Sequence, residues 1–278
     1  MDRKMMSAPI KVALPGFGGR MGQMIAGLVQ AESQFTITAA TEAPNSNLIG
    51  QDISQSLSKK ETGIKISPLP HMLGKNSDVI IDFTRPEATM EHLRIALETN
   101  TSMVVGTTGL NQAQEKQLED AGRRIPIIYC SNMSIGVTLM LQQVKKIASI
   151  LDKSWDIEIL ETHHNQKVDA PSGTALALGA AAAKGRSVLL GNVRDSGRDG
   201  ITGVRKRGDI GFSVIRGGDV AGEHSVIFFG TDERIEVTHK ANDRVIFARG
   251  ALKAAQFIAG KKGQKVLKGY YTMDDVLG

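Results

Sequence analysis

The residues best suited to chemistry lie in one short stretch, ETHHNQKVDAPSGTA, which runs from Glu161 to Ala175. His163 and His164 are imidazoles that can donate or accept a proton near neutral pH. Lys167, four residues after the first histidine, can supply a proton or hold a carboxylate. This combination favours proton transfer next to a bound anion.

The second half of the stretch predicts a helix that begins at an anion-binding position. Ser172 is a candidate N-cap residue, and Gly173 and Thr174 follow it at the helix start, where backbone N–H groups have no intrahelical acceptor. Such N–H groups attract carboxylates and phosphates. Asp169 and Pro171 are expected to brace the loop before this helix.

The histidine pair has two alternative interpretations. Adjacent side chains in a strand point to opposite faces, and the chain has neither H-x-x-x-H nor C-x-x-C spacing. A metal site that adds Glu161 and Asp169 is conceivable, but we predict no metal. The other alternative is that both histidines are only hydrogen-bonded loop residues.

A glycine-rich turn, GFGGRMG, lies between Gly16 and Gly22, directly after an apolar run and before a helical pattern. A tight strand-to-helix turn lets backbone N–H groups approach a pyrophosphate where a Cβ atom would intrude. The turn matches the first two glycines of G-x-G-x-x-G, but the third position is Met21; it also fits a G-x-x-G-x-x-G spacing. Arg20 is placed to add positive charge for the phosphates, although it could equally be a solvated first-turn residue.

An acid follows the turn at the spacing of a dinucleotide site. Glu42 ends the second predicted strand, where a carboxylate would accept hydrogen bonds from the ribose hydroxyls and repel a 2′-phosphate. Ala43 offers no positive charge to a 2′-phosphate, so NADH is favoured, while a remote basic residue would still admit NADPH. The strand ends GTTG, from Gly106, and CSNMS, from Cys130, are expected at the same edge of the sheet.

Continuous apolar strands alternate with helical patterns in the first half of the chain, as in IKVALPG from Ile10 and SDVIIDFT from Ser77. This alternation is typical of a parallel sheet covered on both faces. We therefore predict an α/β fold whose N-terminal part is a Rossmann-like, doubly wound parallel sheet.

The pattern changes after Asn132, where a long helical segment is followed by glycine-punctuated, β-branched runs. These runs predict a C-terminal α+β domain with a mixed or antiparallel sheet. We expect a dinucleotide-binding domain at residues 1–133 and a substrate-binding and oligomerisation domain at residues 134–242. Residues 243–278 are expected to pack back on the first domain.

The composition narrows the class of protein. The net charge is +5, but 34 Lys and Arg residues are spread among 29 acids and aromatics make up only 4%, which argues against nucleic-acid binding. No apolar stretch approaches the ~20 residues needed to span a bilayer, so we expect no membrane contact. A single cysteine, Cys130, fits a cytoplasmic protein.

The sequence resembles the 4-hydroxy-tetrahydrodipicolinate reductases (dihydrodipicolinate reductases) of bacterial lysine and diaminopimelate biosynthesis. The matching segments occur in the family's order and cover nearly the whole chain. They are GFGGRMG, IDFTRPE, VVGTTG, SNMSIGV, ETHHNQKVDAPSGTA, GDIGFSVIRGGDVAGEH and IEVTHKA. The stretch with the two histidines is far more specific than the glycine turn.

The resemblance implies hydride transfer from NAD(P)H to a cyclic, doubly carboxylated imine, which gives tetrahydrodipicolinate. It places the acid/base on His163 and a proton donor on Lys167, with His164, Gly173 and Thr174 in contact with substrate. It assigns the coenzyme to Gly16, Phe17, Gly18, Gly19, Arg20, Met21, Glu42, Gly106, Thr107, Thr108, Cys130, Ser131, Asn132 and Met133. It also implies a homotetramer built through the sheet of the second domain. Some relatives carry a basic residue where this chain has Ala43, which puts a strong NADPH preference in doubt.

Two other functions compete with this hypothesis. One is a different NAD(P)-dependent oxidoreductase that acts on another small carboxylic acid, and the other is a dinucleotide-sensing protein without catalysis. A sensor would need no proton donor beside the nicotinamide, so the stretch around His163 argues against it. The ratio of NADH to NADPH use, and whether the hydroxylated or the dehydrated ring is the substrate, stay open.

Overall fold

The computed structural model describes residues 8–57, 61–259 and 268–278. Two compact units are distinguished, one formed by Met1–Met133 together with Phe247–Gly278, and the other by Ser134–Ile246. The C-terminal segment predicted to pack back on the first domain includes residues 260–267, which lie outside the described ranges. Among the described helices, none has the length and apolar character that a membrane crossing requires.

The strands are β1 (Ile10–Pro15), β2 (Phe35–Thr41), β3 (Val79–Asp82), β4 (Ser102–Val105), β5 (Pro126–Tyr129), β6 (Asp156–His163), β7 (Arg194–Asp195), β8 (Ile210–Arg216), β9 (Gly222–Phe229), β10 (Arg234–Ala241) and β11 (Gly269–Tyr271). The α-helices are α1 (Arg20–Ala31), α2 (Ser54–Leu57), α3 (Pro86–Thr99), α4 (Gln112–Ala121), α5 (Ile135–Ile150), α6 (Gly173–Gly185), α7 (Leu190–Val193), α8 (Val245–Ala259) and α9 (Met273–Leu277), and a 3-10 helix spans Pro70–Gly74.

The first unit contains a six-stranded sheet in the order β11-β5-β4-β3-β1-β2, and all of its strand pairs are parallel. Its strands are apolar on both faces, as the fully buried β3 shows, because helices cover the sheet on each side. The chain leaves β1 for β2 on one side and returns to β3 on the other. This reversal creates a switch point at the carboxyl ends of β1 and β3, where ligands bind in such folds. The predicted Rossmann-like sheet is confirmed.

Local sequence explains where the helices of this unit begin and end. Pro86 occupies the first turn of α3, where its missing N–H costs nothing. The helix ends at Asn100, which adopts a left-handed conformation with φ 54°. Asn111 caps α4 in a reciprocal capping box with Gln114. These signals fix the lengths of the helices, and hence the positions of the strand ends that follow.

The second unit contains a five-stranded mixed sheet in the order β10-β9-β6-β8-β7. Strand β6 runs parallel to β8 and antiparallel to β9. One face packs on α5 and α6 through a core that includes Ile157, Ile159, Phe212, Val226 and Phe228. The predicted mixed or antiparallel sheet is therefore confirmed as mixed. The short strands β7 and β11 and the last helix α9 were not predicted.

Candidate active site

The glycine turn leaves β1 at Gly16, which has a positive φ of 62°. A Cβ atom on Gly22 would lie 2.4 Å from the carbonyl oxygen of Gly16, so the first turn of α1 packs directly on the backbone of the loop. Gly19 is the N-cap of α1 and has no side chain to occupy the helix N–H groups. Gly18 is confined as well, since a Cβ atom there would lie 2.6 Å from Cδ1 of Leu48 and 3.0 Å from Oε2 of Glu42.

Two predicted coenzyme residues of this turn differ in how their side chains are placed. Phe17 is fully buried, so its side chain belongs to the core and only its backbone is available. Its N–H donates to the carbonyl of Thr41 at 3.1 Å, which ties the turn to the end of β2. Arg20 is exposed at the first position of α1, where its charge is available to an anion.

Glu42 follows β2 and points at the glycine turn. Its Oε2 atom accepts a hydrogen bond from the N–H of Gly18 at 2.7 Å, and its Oε1 atom accepts one from the N–H of Ala43 at 3.0 Å. The predicted ribose acid and the predicted phosphate-binding turn are thus in direct contact. The acid and the turn both lie at the carboxyl ends of the parallel strands β1 and β2, as this fold requires.

A cavity of about 300 Å³ lies beside the turn, at the carboxyl ends of β3, β4 and β5. Its lining includes seven of the predicted coenzyme residues: Met21, Gly106, Thr107, Thr108, Ser131, Asn132 and Met133. Phe83, Thr84 and Phe247 also line it and were not predicted. A signal for Thr84 was present, because it follows β3 in the same way that the predicted residues follow β4 and β5.

Cys130 contributes to this edge through its position. Its thiol donates to the carbonyl oxygen of Asn132 at 3.0 Å, which shapes the loop after β5. Burial raises the pKa of this thiol, so the protonated, unreactive form is favoured.

In the second unit, alternation along β6 places Glu161 and His163 on the same, helix-covered face. Glu161 is 1% exposed and His163 is 8% exposed. The Nδ1 atom of His163 lies 2.5 Å from Oε2 of Glu161. A carboxylate only accepts hydrogen bonds, so Nδ1 carries a proton and Nε2 is the atom available for proton exchange.

Arg216 and the backbone of Ser172 complete the surroundings of Glu161. The guanidinium of Arg216 donates to both carboxylate oxygens, at 2.8 and 2.9 Å, and the N–H of Ser172 donates to Oε1 at 2.8 Å. Burial alone would raise the pKa of Glu161, but hydrogen bonds from Arg216 and His163 outweigh it and hold this pKa below its usual range. Neither Arg216 nor the pairing of Glu161 was predicted.

The pKa of His163 is also lowered. Burial is the largest cause, and the positive charges of Lys167 and Arg216 add to it, while the hydrogen bond to Glu161 opposes the shift. The imidazole therefore loses its proton more readily than an exposed histidine does. A group of this kind is suited to giving up a proton near neutral pH.

Cationic side chains surround the histidine pair. Lys167 pairs with Asp169 at 2.7 Å, and this contact lowers the pKa of Asp169. His164 lies outside β6, with its Nε2 atom 3.5 Å from a guanidinium nitrogen of Arg244. Arg244 was not predicted, because it lies 80 residues further along the chain.

The predicted helix start after these residues is confirmed. Ser172 is the N-cap of α6, and its hydroxyl accepts from the N–H of Ala175 at 3.2 Å. The same hydroxyl lies 2.9 Å from Nε2 of His224, a buried residue on β9 that was not predicted. Gly173 is exposed, and a Cβ atom there would meet nothing within 4 Å, so the helix start is open to a ligand.

Within the described residues, no group of three or more His, Cys, Asp and Glu side chains is arranged to hold a metal ion. His163 and His224 are neighbours, with ring centroids 5.1 Å apart. Nδ1 of His163 is directed to Glu161, and Nε2 of His224 is directed to Ser172. These histidines therefore take part in a hydrogen-bond network.

A doubly wound parallel sheet with a glycine turn and an acid after its second strand is typical of NAD(P)-dependent oxidoreductases. Family models give the more specific result. Residues 10–133 match the model of the dihydrodipicolinate reductase N-terminus, and residues 136–277 match the model of its C-terminus. The chain belongs to the dihydrodipicolinate reductase family.

Individual relatives agree with this membership. The chain is 45% identical over 273 residues to a 4-hydroxy-tetrahydrodipicolinate reductase of Roseobacter denitrificans, which covers 98% of both chains. It is 46% identical over 267 residues to the protein of the same name from Ruegeria pomeroyi, which covers 96% of this chain and 97% of the relative.

A solved structure shares the fold. The dipicolinate-bound dihydrodipicolinate reductase from Paenisporosarcina sp. TG-14 superposes with a TM-score of 0.72 at 24% identity, over 95% of this chain and 97% of the other. At that identity the likeness concerns the fold alone.

Proposed function

We propose that this protein catalyses the NAD(P)H-dependent reduction of 4-hydroxy-tetrahydrodipicolinate (dihydrodipicolinate) to tetrahydrodipicolinate in lysine and diaminopimelate biosynthesis. The observation that carries the proposal is the buried His163–Glu161 pair at the end of β6, beside Lys167 and the start of α6. An acid/base group next to an anion-binding helix start is what the reduction of a carboxylated imine needs.

The second unit is proposed to bind the substrate. A ring with two carboxylates needs two anion-binding positions, and this unit offers the N-terminus of α6 and a set of cations. Gly173 and Thr174 would hold one carboxylate through the helix start. Lys167 and the contacting pair of His164 and Arg244 would hold the other.

The first unit is proposed to hold the coenzyme, with the diphosphate at the turn from Gly16 to Met21 and the adenosine ribose at Glu42. The rest of the coenzyme would extend along the edge of the first sheet, which is formed by Gly106–Thr108 and Cys130–Met133. Gly22 supports this role because it lets the first turn of α1 pack against the loop backbone, where a Cβ atom would clash. Glu42 and Ala43 favour NADH over NADPH, since neither attracts a 2′-phosphate.

Bound NAD(P)H supplies the hydride. As the hydride reaches a ring carbon conjugated to C=N, electrons move toward the nitrogen, and a proton donor placed there lowers the barrier. His163 is proposed to act as the acid/base through Nε2, and Lys167 as a proton donor. Glu161 holds Nδ1 and stabilises the protonated imidazole, so the proton leaves from the side that faces away from the carboxylate.

We also propose a homotetramer formed through the face of the second sheet that is not covered by α5 and α6. By strand alternation this face carries Ile215 and Phe229, which are 48% and 36% exposed. Ile215 lies opposite Thr162 and Phe229 opposite Asp156, at the two ends of β6, so exposed apolar side chains occur along the length of this face. Light scattering on Ile215→Lys would show dissociation of the tetramer, whereas an unchanged mass would contradict the assignment.

A cytoplasmic location is proposed from the single cysteine.

The proposed reaction is tested by coupling the purified protein to a synthase that makes the unstable substrate from pyruvate and aspartate semialdehyde. Oxidation of NADH and NADPH would be followed side by side in the same assay. Rapid oxidation that depends on both the synthase and this protein is the expected result. No oxidation of either coenzyme, with the synthase active, would contradict the proposal.

A further inference from the structure

A charged group that the proposed reaction does not use lies beneath the cavity of the first unit. Asp82 is the last residue of β3, and its side chain is fully buried. Its Oδ2 atom lies 2.7 Å from Nδ1 of His92, which belongs to α3 and is 6% exposed. A buried carboxylate is costly unless it is paired and fully hydrogen-bonded, so its partners are informative.

The other oxygen of Asp82 binds the two loops that follow β3 and β4. Oδ1 accepts from the N–H of Thr84 at 2.8 Å and from its hydroxyl at 2.6 Å. It also accepts from the hydroxyl of Thr107 at 3.2 Å. Thr84 and Thr107 both line the cavity. One carboxylate therefore connects the cavity-lining loops of two neighbouring strands.

This arrangement fixes the direction of the hydroxyl protons. An ionised carboxylate only accepts hydrogen bonds, and each hydroxyl has a single proton to donate. Thr84 and Thr107 therefore point their protons at Asp82 and offer only lone pairs to other groups. Thr107 already accepts from the hydroxyl of Thr89 at 2.9 Å. Oγ1 of Thr84 lies 3.5 Å from Oγ1 of Thr89, whose proton is directed to Thr107, so the lone pairs of Thr84 are the acceptors best placed for a ligand.

Thr84 also contacts the glycine turn. A Cβ atom on Gly16 would lie 2.8 Å from Cγ2 of Thr84, so the methyl group of this threonine packs against the backbone that follows β1. A change in the rotamer of Thr84 would disturb the turn as well as the cavity. Asp82 thus acts on the loops after β1, β3 and β4 through one side chain.

We propose that Asp82 and His92 form a positioning pair that orients the hydroxyls of Thr84 and Thr107, so that the cavity presents hydrogen-bond acceptors to the donor groups of a nicotinamide dinucleotide. The matching donors of such a ligand are its ribose hydroxyls and its carboxamide N–H groups. This inference rests on the proposed function, because it assumes that the cavity receives the coenzyme.

The direct test is Asp82→Asn, which keeps the shape of the side chain but replaces one acceptor oxygen by an N–H donor. The amide must then turn its N–H₂ group either toward the threonine hydroxyls, which lose their common acceptor, or toward His92, whose Nδ1 must give up its proton. We expect the dissociation constant for NADH, measured by calorimetry, to rise at least about tenfold, with a smaller change in kcat. His92→Phe should also weaken NADH binding. His92→Asn, which retains a hydrogen-bond donor, should bind NADH more tightly than His92→Phe does.

Leu93→Ala is the matched control, because Leu93 is the neighbour of His92 on α3 and is a core residue with 4% exposure. It should lower the melting temperature without weakening NADH binding. The inference is overturned if Leu93→Ala weakens binding as much as Asp82→Asn, or if a folded Asp82→Asn protein binds NADH like the unmodified protein.

A second pair of variants keeps the inference testable if Asp82→Asn does not fold. Thr107→Val removes the hydroxyl, and Thr107→Ser keeps it. The valine variant should bind NADH more weakly than the serine variant, and its effect should be non-additive with His92→Phe. Equal affinities or full additivity would overturn the inference. Failure of the unmodified protein to bind NADH would instead overturn the proposed function.

Discussion

Nδ1 of His163 and Oε2 of Glu161 lie 2.5 Å apart on the covered face of β6, two residues from each other in sequence. Strand alternation alone places both side chains on that face, since residues i and i+2 point the same way. Arg216 then neutralises the carboxylate from the neighbouring strand β8. His163 is thus oriented by regular secondary structure, which is more rigid than a loop.

Replacement of Glu161 should move the pH profile of the reaction. Glu161 is the group that raises the pKa of His163, while burial and the nearby cations lower it. In Glu161→Gln nothing opposes the effects that lower the pKa of His163. The descending limb of the pH profile of kcat/KM should therefore shift to lower pH. This limb reports the free enzyme, and measurement of kcat/KM across the neutral range checks it. An unshifted limb would mean that His163 does not donate the proton.

Loss of either proton-transfer residue should slow turnover while coenzyme binding persists. His163→Ala and Lys167→Ala are each expected to lower kcat by at least about a hundredfold, the reach of one general acid. Both residues lie in the second unit, and the residues proposed to bind the coenzyme lie in the first, so NADH affinity by calorimetry should stay nearly unchanged. Gln166→Ala, an exposed neighbour in the same loop, is the control. Loss of NADH binding with little loss of turnover would remove both residues from the reaction.

The buried His224 should make stability depend on pH. Burial, with the charge of His163 as a smaller cause, lowers the pKa of His224 to about 4. Between that value and the ordinary value of about 6.5 the unfolded chain binds a proton that the folded chain does not, so stability is full above about pH 6.5 and falls as the pH drops toward about 4. The loss is on the order of 3 kcal/mol.

Urea unfolding at several pH values measures this dependence. His224→Gln keeps a polar partner for Ser172 but has no titratable ring, so its stability should change less between neutral and weakly acidic pH than that of the unmodified protein. Carboxylates titrate in both proteins, and the difference between the two curves therefore isolates His224. Identical curves would show that His224 does not contribute.

The choice between coenzymes should depend on Glu42. A carboxylate near the ribose favours hydroxyls and repels a 2′-phosphate. Glu42→Ala should accordingly weaken the binding of NADH more than the binding of NADPH, and calorimetric titration with both coenzymes checks this. Equal losses for the two coenzymes would contradict the assignment. Ala43→Arg, which adds a positive charge at the next position, should strengthen the binding of NADPH but not that of NADH.

Much of the fold was predictable because its signals are local. The strand runs around Ile10 and Ser77 and the N-cap at Ser172 each depend on a few adjacent residues. The Rossmann-like sheet and the mixed sheet are confirmed for this reason. The short strand β11 has only three residues and pairs with β5 from far along the chain, so no local pattern reveals it.

The candidate site was predictable only where its residues are neighbours in sequence. His163, Lys167 and Gly173 lie in one stretch, and their roles remain predictions that the variants above would test. Arg216 pairs with Glu161 across 55 positions, and His224 meets Ser172 across 52. Such partners are set by strand order and register, which a single sequence does not display.

The contact between Glu42 and the N–H of Gly18 places a carboxylate at an amide of the glycine turn that an anion could otherwise bind. A free phosphate ion that approaches this amide meets a carboxylate already bound there, and the two negative charges repel each other. A ligand that carries a sugar diol next to its diphosphate can engage the displaced carboxylate with its own hydroxyls. We therefore expect the turn to bind inorganic phosphate more weakly than a nucleotide that carries both groups.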